Sequence, residues 1–247
     1  MRIKFQLKNN LPIFSLAVFA IAFSLMACNK SDDDTATLSD EEVAAVLEGA
    51  LMSSSGGITD EIADATQVAI RYTEKTILGG DCGETFDSTV LRSVNNASIT
   101  ASYTTTWQWI INCNNLMVPI SIDYDRTANG AYETARMISD DNSLSNWGID
   151  NLLTGNAWTL SGSYVRSGNQ TSKVRNRSSF VSELTISVNE LAVSKSSLDI
   201  VSGAATFTLT GSVNGGSGFS YSGSIVFNGN GTATVTINGQ AYVIDYN

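Results

Sequence analysis

Residues 219–246 read FSYSGSIVFNGNGTATVTINGQAYVIDY, and this stretch decides the fold class. Apolar side chains alternate with polar or small ones in short runs, as they do on strands that bury one face. Asn238-Gly239 stands between the last two runs, where Asn-Gly is a strong signal for a two-residue hairpin turn. Turn-forming residues at 214–218 and 228–231 precede it, so the last four strands are predicted to form an antiparallel meander.

The same two-residue period extends upstream to about residue 90, and alternation of this kind is typical of an antiparallel sheet with one buried face. The predicted inward-facing sets are Tyr103, Thr105, Trp107, Trp109, Ile111 and Cys113; Val118, Ile120, Ile122 and Tyr124; Trp158, Leu160, Gly162 and Tyr164; Leu184, Ile186 and Val188; and Ala205, Phe207 and Leu209.

Two helices are predicted before the strands. Ser39-Asp40-Glu41-Glu42 has the pattern of a capping box, and apolar residues then recur at helical spacing up to a linker at residues 53–57. Thr59 is the expected cap of a second helix that ends near Leu78. We therefore expect an α+β, mainly β fold, in which two short amphipathic helices cover or flank an antiparallel sheet.

The first 34 residues contain targeting motifs. Three bases, Arg2, Lys4 and Lys8, precede an apolar run at residues 11–25, as in a secretory signal peptide. Leu25-Met26-Ala27-Cys28 resembles the lipobox of bacterial lipoproteins, which implies cleavage before Cys28 and acylation of its thiol. The predicted organisation is a signal peptide at 1–27, a lipidated cysteine with an acidic tether at 28–37, and one domain at 38–247, helical over 38–78 and stranded over 90–247.

The tether carries a second resemblance. Asn29-Lys30-Ser31-Asp32-Asp33-Asp34 is similar to the surface-export signal of Bacteroidota lipoproteins, in which a lysine and acids follow the lipidated cysteine. The chain thus resembles uncharacterised outer-membrane lipoproteins of that phylum. This implies a lipid anchor in the outer membrane at the cell surface. Placement on the periplasmic leaflet is the alternative, because Ser31 separates the lysine from the acids.

Composition excludes several classes of function. The chain has no histidine, so it cannot build a Ser-His-Asp triad, a Cys-His pair or an HExxH zinc helix. Loss of residues 1–27 would remove the three leader bases and no acid, changing the formal charge from −10 to −13. Such an acidic chain is a poor partner for nucleic acid. We expect no cofactor and no metal.

Three cysteines are present, of which Cys82 and Cys113 remain once Cys28 is lipidated. An even number of cysteines in an exported domain predicts a disulfide. This bond would tie the loop after the second helix to the tryptophan-rich strand.

Three tryptophans are candidate ligand contacts. Trp107 and Trp109 share a strand face, where they could form a platform for sugar rings or belong to the core. Trp147 lies in a polar stretch without periodic neighbours, so it is a candidate for an exposed loop residue. Folding of that loop side chain back onto the core is the alternative.

A basic stretch contains Arg166, Lys173, Arg175 and Arg177, the last three of which are predicted to share a strand face. These residues could bind an anionic glycan or lipopolysaccharide phosphate. The alternative is that they keep an edge strand from pairing with other chains.

Acidic candidates for catalysis are Asp123 and Asp125 on one strand and Asp81, Glu84 and Asp87 near Cys82. Without histidine, a hydrolase would need two carboxylates about 5–9 Å apart in a cleft. Solvated surface acids explain the same positions.

The sequence therefore favours a non-enzymatic, lipid-anchored envelope protein with a binding or structural role towards a glycan, lipid or protein partner. One alternative is a carboxylate-dependent glycan hydrolase. Another is a periplasmic carrier of lipids or lipoproteins, which would need a concave apolar sheet that helices leave uncovered. The sequence leaves the oligomeric state open.

Overall fold

A computed structural model describes residues 37–74 and 81–246 of the chain. Two helices, α1 and α2, are joined by a short 3-10 turn and precede a long series of strands. Their bounds are α1 Asp40–Leu51, the 3-10 turn Ser53–Ser55, α2 Ile58–Glu74, β1 Thr85–Asn95, β2 Ile99–Cys113, β3 Pro119–Thr134, β4 Met137–Asp150, β5 Ala157–Ser172, β6 Ser179–Ser194, β7 Ile200–Val213, β8 Gly218–Gly229, β9 Thr232–Ile237 and β10 Gln240–Asp245.

The strands form one 10-stranded sheet in sequence order, each antiparallel to the next. The predicted fold class is therefore confirmed, and the meander extends over the whole sheet rather than its last four strands alone. Along β4, buried residues alternate with exposed or half-buried ones without a break. One sheet face thus carries the apolar core and the other faces solvent.

The sheet curves around the helices. α1 contacts β4 and β5 near the middle of the sheet and also β9 and β10 at its end. In a flat sheet, β4 and β10 would lie about 29 Å apart, whereas a helix with its side chains is only about 10–12 Å wide. The helices therefore occupy the concave, apolar face, where they form one core with the inward side chains of the strands.

The two ends of the curved sheet differ in what they contact. We call one the entry end, because Leu38 enters the fold there, beside Tyr221, whose hydroxyl donates to the Leu38 carbonyl oxygen. The entry end carries the turns β1–β2, β3–β4, β5–β6, β7–β8 and β9–β10. The far end carries the four remaining strand-to-strand connections and the Cys82 segment.

The helix starts follow local hydrogen bonding. Both halves of the predicted capping box are present at α1, since the Glu42 amide donates to Ser39 Oγ and the Ser39 amide donates to the Glu42 carboxylate. At α2, the prediction of a cap at Thr59 is wrong. The helix already includes Ile58, and Thr59 Oγ1 donates to the Leu51 carbonyl oxygen at 2.6 Å. The predicted end near Leu78 lies outside the described residues.

Two strand predictions need correction. β1 begins at Thr85, five residues before the predicted start near residue 90. Its inward positions are only half-buried and Leu91 faces outward, so the alternation in the sequence is weak there. Val118 lies in the β2–β3 loop, and Ile120 is exposed although it was expected to face inward. The register shifts beside Asn112 and Cys113, so that Ile120 has no partner on β2 and bulges outward. Neither described helix is both long and apolar enough to cross a bilayer.

Candidate functional site

Cys82 and Cys113 lie at the far end at bonding distance, as predicted. Their sulfur atoms are 1.97 Å apart and their Cα atoms 5.7 Å apart. Cys82 also forms a single parallel bridge with Ile111, and the Gly83 amide donates to the Ile111 carbonyl oxygen at 2.8 Å. The pair therefore holds the segment after α2 against the end of β2.

Trp109 belongs to the core, which was one of the two predicted alternatives. It stacks on Phe86 with ring centroids 5.6 Å apart, and its Nε1 donates to the Tyr72 hydroxyl at 3.4 Å. Trp107 is only partly buried, and the Arg92 guanidinium lies 5.8 Å above its ring. Because the guanidinium covers that ring, the two tryptophans do not form a bare platform for a sugar.

Trp147 is not an exposed loop residue, so that candidate ligand contact is wrong. It lies on β4 with 2% of its surface exposed, and its Nε1 donates to a Glu61 carboxylate oxygen at 3.0 Å. The polar residues around it misled the sequence prediction. Ser143 and Ser145 point inward on the same strand face, where their small side chains leave room for α2.

Arg166 is also buried and cannot contact a ligand from solvent, so its prediction as a candidate ligand contact is wrong. Its Nε lies 2.9 Å from Asp141 Oδ1, and its terminal nitrogens donate to the carbonyl oxygens of Gly49 and Ser55. The guanidinium also lies 4.9 Å from the Tyr132 ring centroid. Arg166 therefore fixes the end of α1 and the following 3-10 turn to the sheet.

Lys173, Arg175 and Arg177 do not share a strand face. They lie in the β5–β6 turn at the entry end, between two interior strands, so they protect no sheet edge. Lys173 Nζ pairs with Glu133 at 2.7 Å, and an Arg175 terminal nitrogen pairs with Glu41 at 2.5 Å. These three bases remain accessible, but two of them already contact a carboxylate.

The predicted acidic candidates lie on the outside of the fold. Asp123 and Asp125 are exposed on the outer face of β3, and Asn112 Nδ2 donates to Asp123 at 2.9 Å. Glu84 and Asp87 are exposed and Asp81 is half-buried. None of these five lines the cleft described below.

The sequence prediction missed an ionic network between α2 and the sheet. Arg126 on β3 has a fully buried side chain, with its terminal nitrogens 2.5 Å from Asp60 and 3.2 Å from Glu61. Arg92 on β1 contacts Asp60 and Asp64, each at 2.5 Å. Three acids on the first turns of α2 thus meet two arginines from the sheet.

Burial governs the ionisation of this network. It raises the pKa of Glu61 above its ordinary value, and the nearby Arg126 charge only partly opposes this effect. Burial also raises the pKa of Asp64, although Arg92 donates to that carboxylate. α2 is therefore held against the sheet by ion pairs whose burial cost is only partly offset by the opposite charges.

A cleft of about 470 Å³ opens beside this network, between the 3-10 turn and strands β1 and β2. Its polar lining includes Ser53, Asn96, Asp60 and Arg92, and Val94 and Ile99 contribute apolar wall. Asp60 is the one acid among its lining residues in the described part of the chain, and both Asp60 oxygens are held by arginines. The paired free carboxylates of a glycosidase are therefore not found in this cleft.

Two further structural conditions bear on function. The concave apolar face that a lipid carrier would need is occupied by α1 and α2. Among the described residues, no three side chains of the metal-ligating types are grouped to hold an ion.

Comparison with known proteins gave no relative. No family model matches the chain, no curated protein matches it, and no solved structure matches it.

Proposed function

We propose that this chain is an exported, lipid-anchored protein of the cell envelope with a non-enzymatic binding or structural role. The observation that carries the proposal is the pairing of Cys82 with Cys113. The chain has three cysteines, so this pairing leaves Cys28, at the end of the lipobox-like motif, as the thiol available for acylation. A disulfide also suits an oxidising compartment outside the cytoplasm.

The choice of a binding or structural role rests on how the fold uses its charged groups. The carboxylates nearest the cleft are bound to Arg92 and Arg126, and Arg166 is bound to backbone carbonyl oxygens of the helices. These groups hold the helices inside the sheet. Charged groups that are used to fix the helices support a binding or structural role rather than a catalytic one.

The test is expression of the full chain in a Bacteroidota host, followed by mass spectrometry of the N-terminal peptide and by membrane fractionation. We expect acylated Cys28 in the outer-membrane fraction, and loss of acylation and membrane association in Cys28→Ala. The matched control is Cys82→Ser with Cys113→Ser, which should still be acylated. An unmodified Cys28 in the wild-type chain would overturn the proposal.

Surface placement is tested separately by protease treatment of intact cells. We expect the wild-type domain to be accessible, and a variant in which Asp32, Asp33 and Asp34 are replaced by Asn to become protected. Protection of the wild-type domain would instead place it on the periplasmic leaflet.

A further inference from the structure

The loop residues at the two ends of the sheet differ in charge, although three of the entry-end bases pair with carboxylates of neighbouring elements. The entry-end turns comprise residues 96–98, 135–136, 173–178, 214–217 and 238–239, and they contain four bases and no acid. The far-end loops comprise residues 114–118, 151–156, 195–199 and 230–231, joined by the Cys82 segment 81–84. Their acids are Asp81, Glu84 and Asp199 and their single base is Lys195.

The far end also exposes large aliphatic side chains on three neighbouring loops. Leu116 is 81% exposed and Met117 48% exposed on the β2–β3 loop, and Leu153 is 52% exposed on the β4–β5 loop. Leu198 on the β6–β7 loop is 37% exposed. Because neighbouring strands lie about 4.8 Å apart, successive loops at one end are about 10 Å apart, close enough for one partner to contact all three.

These loops are held in place by internal hydrogen bonds. The Asn114 side-chain oxygen accepts from the Leu116 and Val118 amides at 2.9 and 3.0 Å. Lys195 Nζ donates to three carbonyl oxygens of the β4–β5 loop, those of Asn151, Leu152 and Thr154. The aliphatic side chains are therefore presented by fixed backbone, and Lys195, the one base among the described far-end loops, already has hydrogen-bond partners.

Two of the exposed aliphatic residues have an unfavourable backbone conformation. Met117 has φ 61° and Leu198 φ 65°, in the left-handed region where Gly and Asn are preferred. The entry-end turns use the same region at Asn238 and Gly239 in β9–β10 and at Arg175 and Arg177 in β5–β6, but none of these residues is aliphatic. A bulky apolar residue that is both strained and exposed adds little to folding, so its side chain is better explained by contact with something outside the domain.

We propose that the far-end loops form a docking surface for another protein, whose contact surface is apolar and bordered by Lys or Arg. The acids Asp81, Glu84 and Asp199 provide the charge complementarity for that partner. A second copy docking through its own far end would bring these acids together, and an anionic bilayer would repel them. The inference rests on the proposed function and deepens it, because a binding role in the cell envelope needs a surface of the folded domain that a partner protein can contact.

The test uses the full chain in the same host, with a photo-reactive phenylalanine derivative at position 116 or, as control, at position 144. Leu144 is 58% exposed on the outer face of β4, away from the loops. We expect a discrete crosslink to another protein from position 116 and none from position 144. The captured protein is then purified, and its affinity for detergent-solubilised full-length chain is measured.

The far-end variant carries Leu116→Ser, Met117→Asn and Leu198→Asn. The outer-face variant, its matched control, carries Leu91→Ser, Leu144→Ser and Val226→Ser, which are comparably exposed. We expect affinity for the purified partner to fall at least tenfold in the far-end variant and to stay unchanged in the control. We also expect added salt to weaken wild-type binding, and the Tm of the far-end variant to be no lower than that of the wild type.

Several results would overturn the proposal. These are the absence of a crosslink from position 116, a crosslink only to a second copy, equal affinity in the two variants, or a marked fall in Tm in the far-end variant. Binding to phosphatidylethanolamine–phosphatidylglycerol vesicles that the far-end variant loses would assign the surface to lipid instead. Acylation of Cys28 is measured on the same samples, so failure of the anchor and failure of the docking surface are distinguished.

Discussion

Trp147 donates its indole N–H to Glu61 at 3.0 Å, although the two residues are 86 positions apart and both are buried. This bond joins the middle of the sheet to the first turn of α2. It also satisfies one oxygen of a carboxylate whose pKa is raised by burial. The contact therefore fixes α2 against β4 and also affects the ionisation of Glu61.

Removal of this donor should destabilise the fold. We expect Trp147→Phe to lower the free energy of unfolding by about 1–3 kcal/mol more than Trp158→Phe, measured by urea denaturation. Trp158 is the matched control because it is equally buried but its Nε1 has no hydrogen-bond partner among the described residues. Equal losses in the two variants would show that the bond to Glu61 contributes nothing beyond the volume of the ring.

Arg126 should be the most sensitive position in the ionic network. Arg126→Met leaves Glu61 buried without its cation, and breaking a buried pair in this way costs about 3–5 kcal/mol. Arg92→Met should cost less, about 1 kcal/mol, because the Arg92 side chain is 34% exposed and water screens its pairs.

The double variant Arg126→Met with Glu61→Gln is the informative companion in the same denaturation series. It should recover part of the loss, because no unpaired carboxylate then remains at position 61. A double variant that is less stable than Arg126→Met would contradict the assignment of the loss to that buried charge.

The raised pKa of Glu61 sets the sign of a pH dependence. The folded chain holds the Glu61 proton more tightly than the unfolded chain does, so folding takes up a proton between the ordinary value of 4.5 and the raised value. The free energy of unfolding should therefore fall as pH rises through this window and level off above it. Asp64 and Glu48, whose pKa values burial also raises, act in the same direction.

Urea denaturation at a series of pH values from about 4 to about 8 checks this dependence. The points should lie about half a pH unit apart, because a single group titrates over about one unit on either side of its pKa. Glu61→Gln should reduce the slope, whereas the same exchange at exposed Glu183 should leave it unchanged. A slope that survives Glu61→Gln intact would assign the dependence to the other two acids.

The disulfide should contribute to stability through the length of chain that it closes. Its cysteines are separated by 31 positions, for which loop-closure arithmetic gives about 3–4 kcal/mol. We expect Cys82→Ser with Cys113→Ser to lose that amount in chemical denaturation, and wild-type protein under reducing conditions to behave alike. Position 28 lies outside the described residues, so Cys28→Ser should leave the denaturation midpoint unchanged. A similar loss of stability in Cys28→Ser would argue against the pairing of Cys82 with Cys113.

Gly49 provides a test of how closely α1 approaches the sheet. Alanine favours helix by about 0.5–1 kcal/mol over glycine, but a Cβ at this position would lie 2.0 Å from the Tyr132 hydroxyl oxygen. We expect Gly49→Ala to destabilise the fold by about 1–3 kcal/mol, the usual cost of overpacking. Gly148→Ala, whose Cβ would meet nothing closer than 3.8 Å, should change the midpoint little, and stabilisation by Gly49→Ala would show that Tyr132 moves freely.

Much of the fold could be predicted from the sequence because strand periodicity is a local signal. The alternation at Trp158, Leu160 and Tyr164 and the Asn238-Gly239 turn predicted strands and a hairpin that are present. The curvature of the sheet could not be predicted, because it depends on which strands α1 contacts across long stretches of chain. The same limit applies to the pairing of Glu61 with Arg126.

The buried arginines did leave a signal in the sequence. Arg126 has the same parity as Ile122 and Tyr124, and Arg166 the same parity as Leu160 and Tyr164, so both fall on inward positions. A charged residue in an inward position predicts a buried partner of opposite charge. Closeness in sequence grouped Arg166 with Lys173, Arg175 and Arg177. In the structure Arg166 lies on β5, whereas the other three lie in the β5–β6 turn.

The order of elements along the chain bears on how the protein is made. α1 and α2 lie inside the sheet, yet they are synthesised first, and α1 contacts β9 and β10, which are synthesised last. At about 5–20 residues per second, the stretch between Leu51 and Gln240 takes roughly 10–40 s to emerge. During that interval the sheet that covers the apolar face of α1 is incomplete. Completion of the core thus requires β9 and β10, and a chain truncated before these strands would leave part of α1 uncovered.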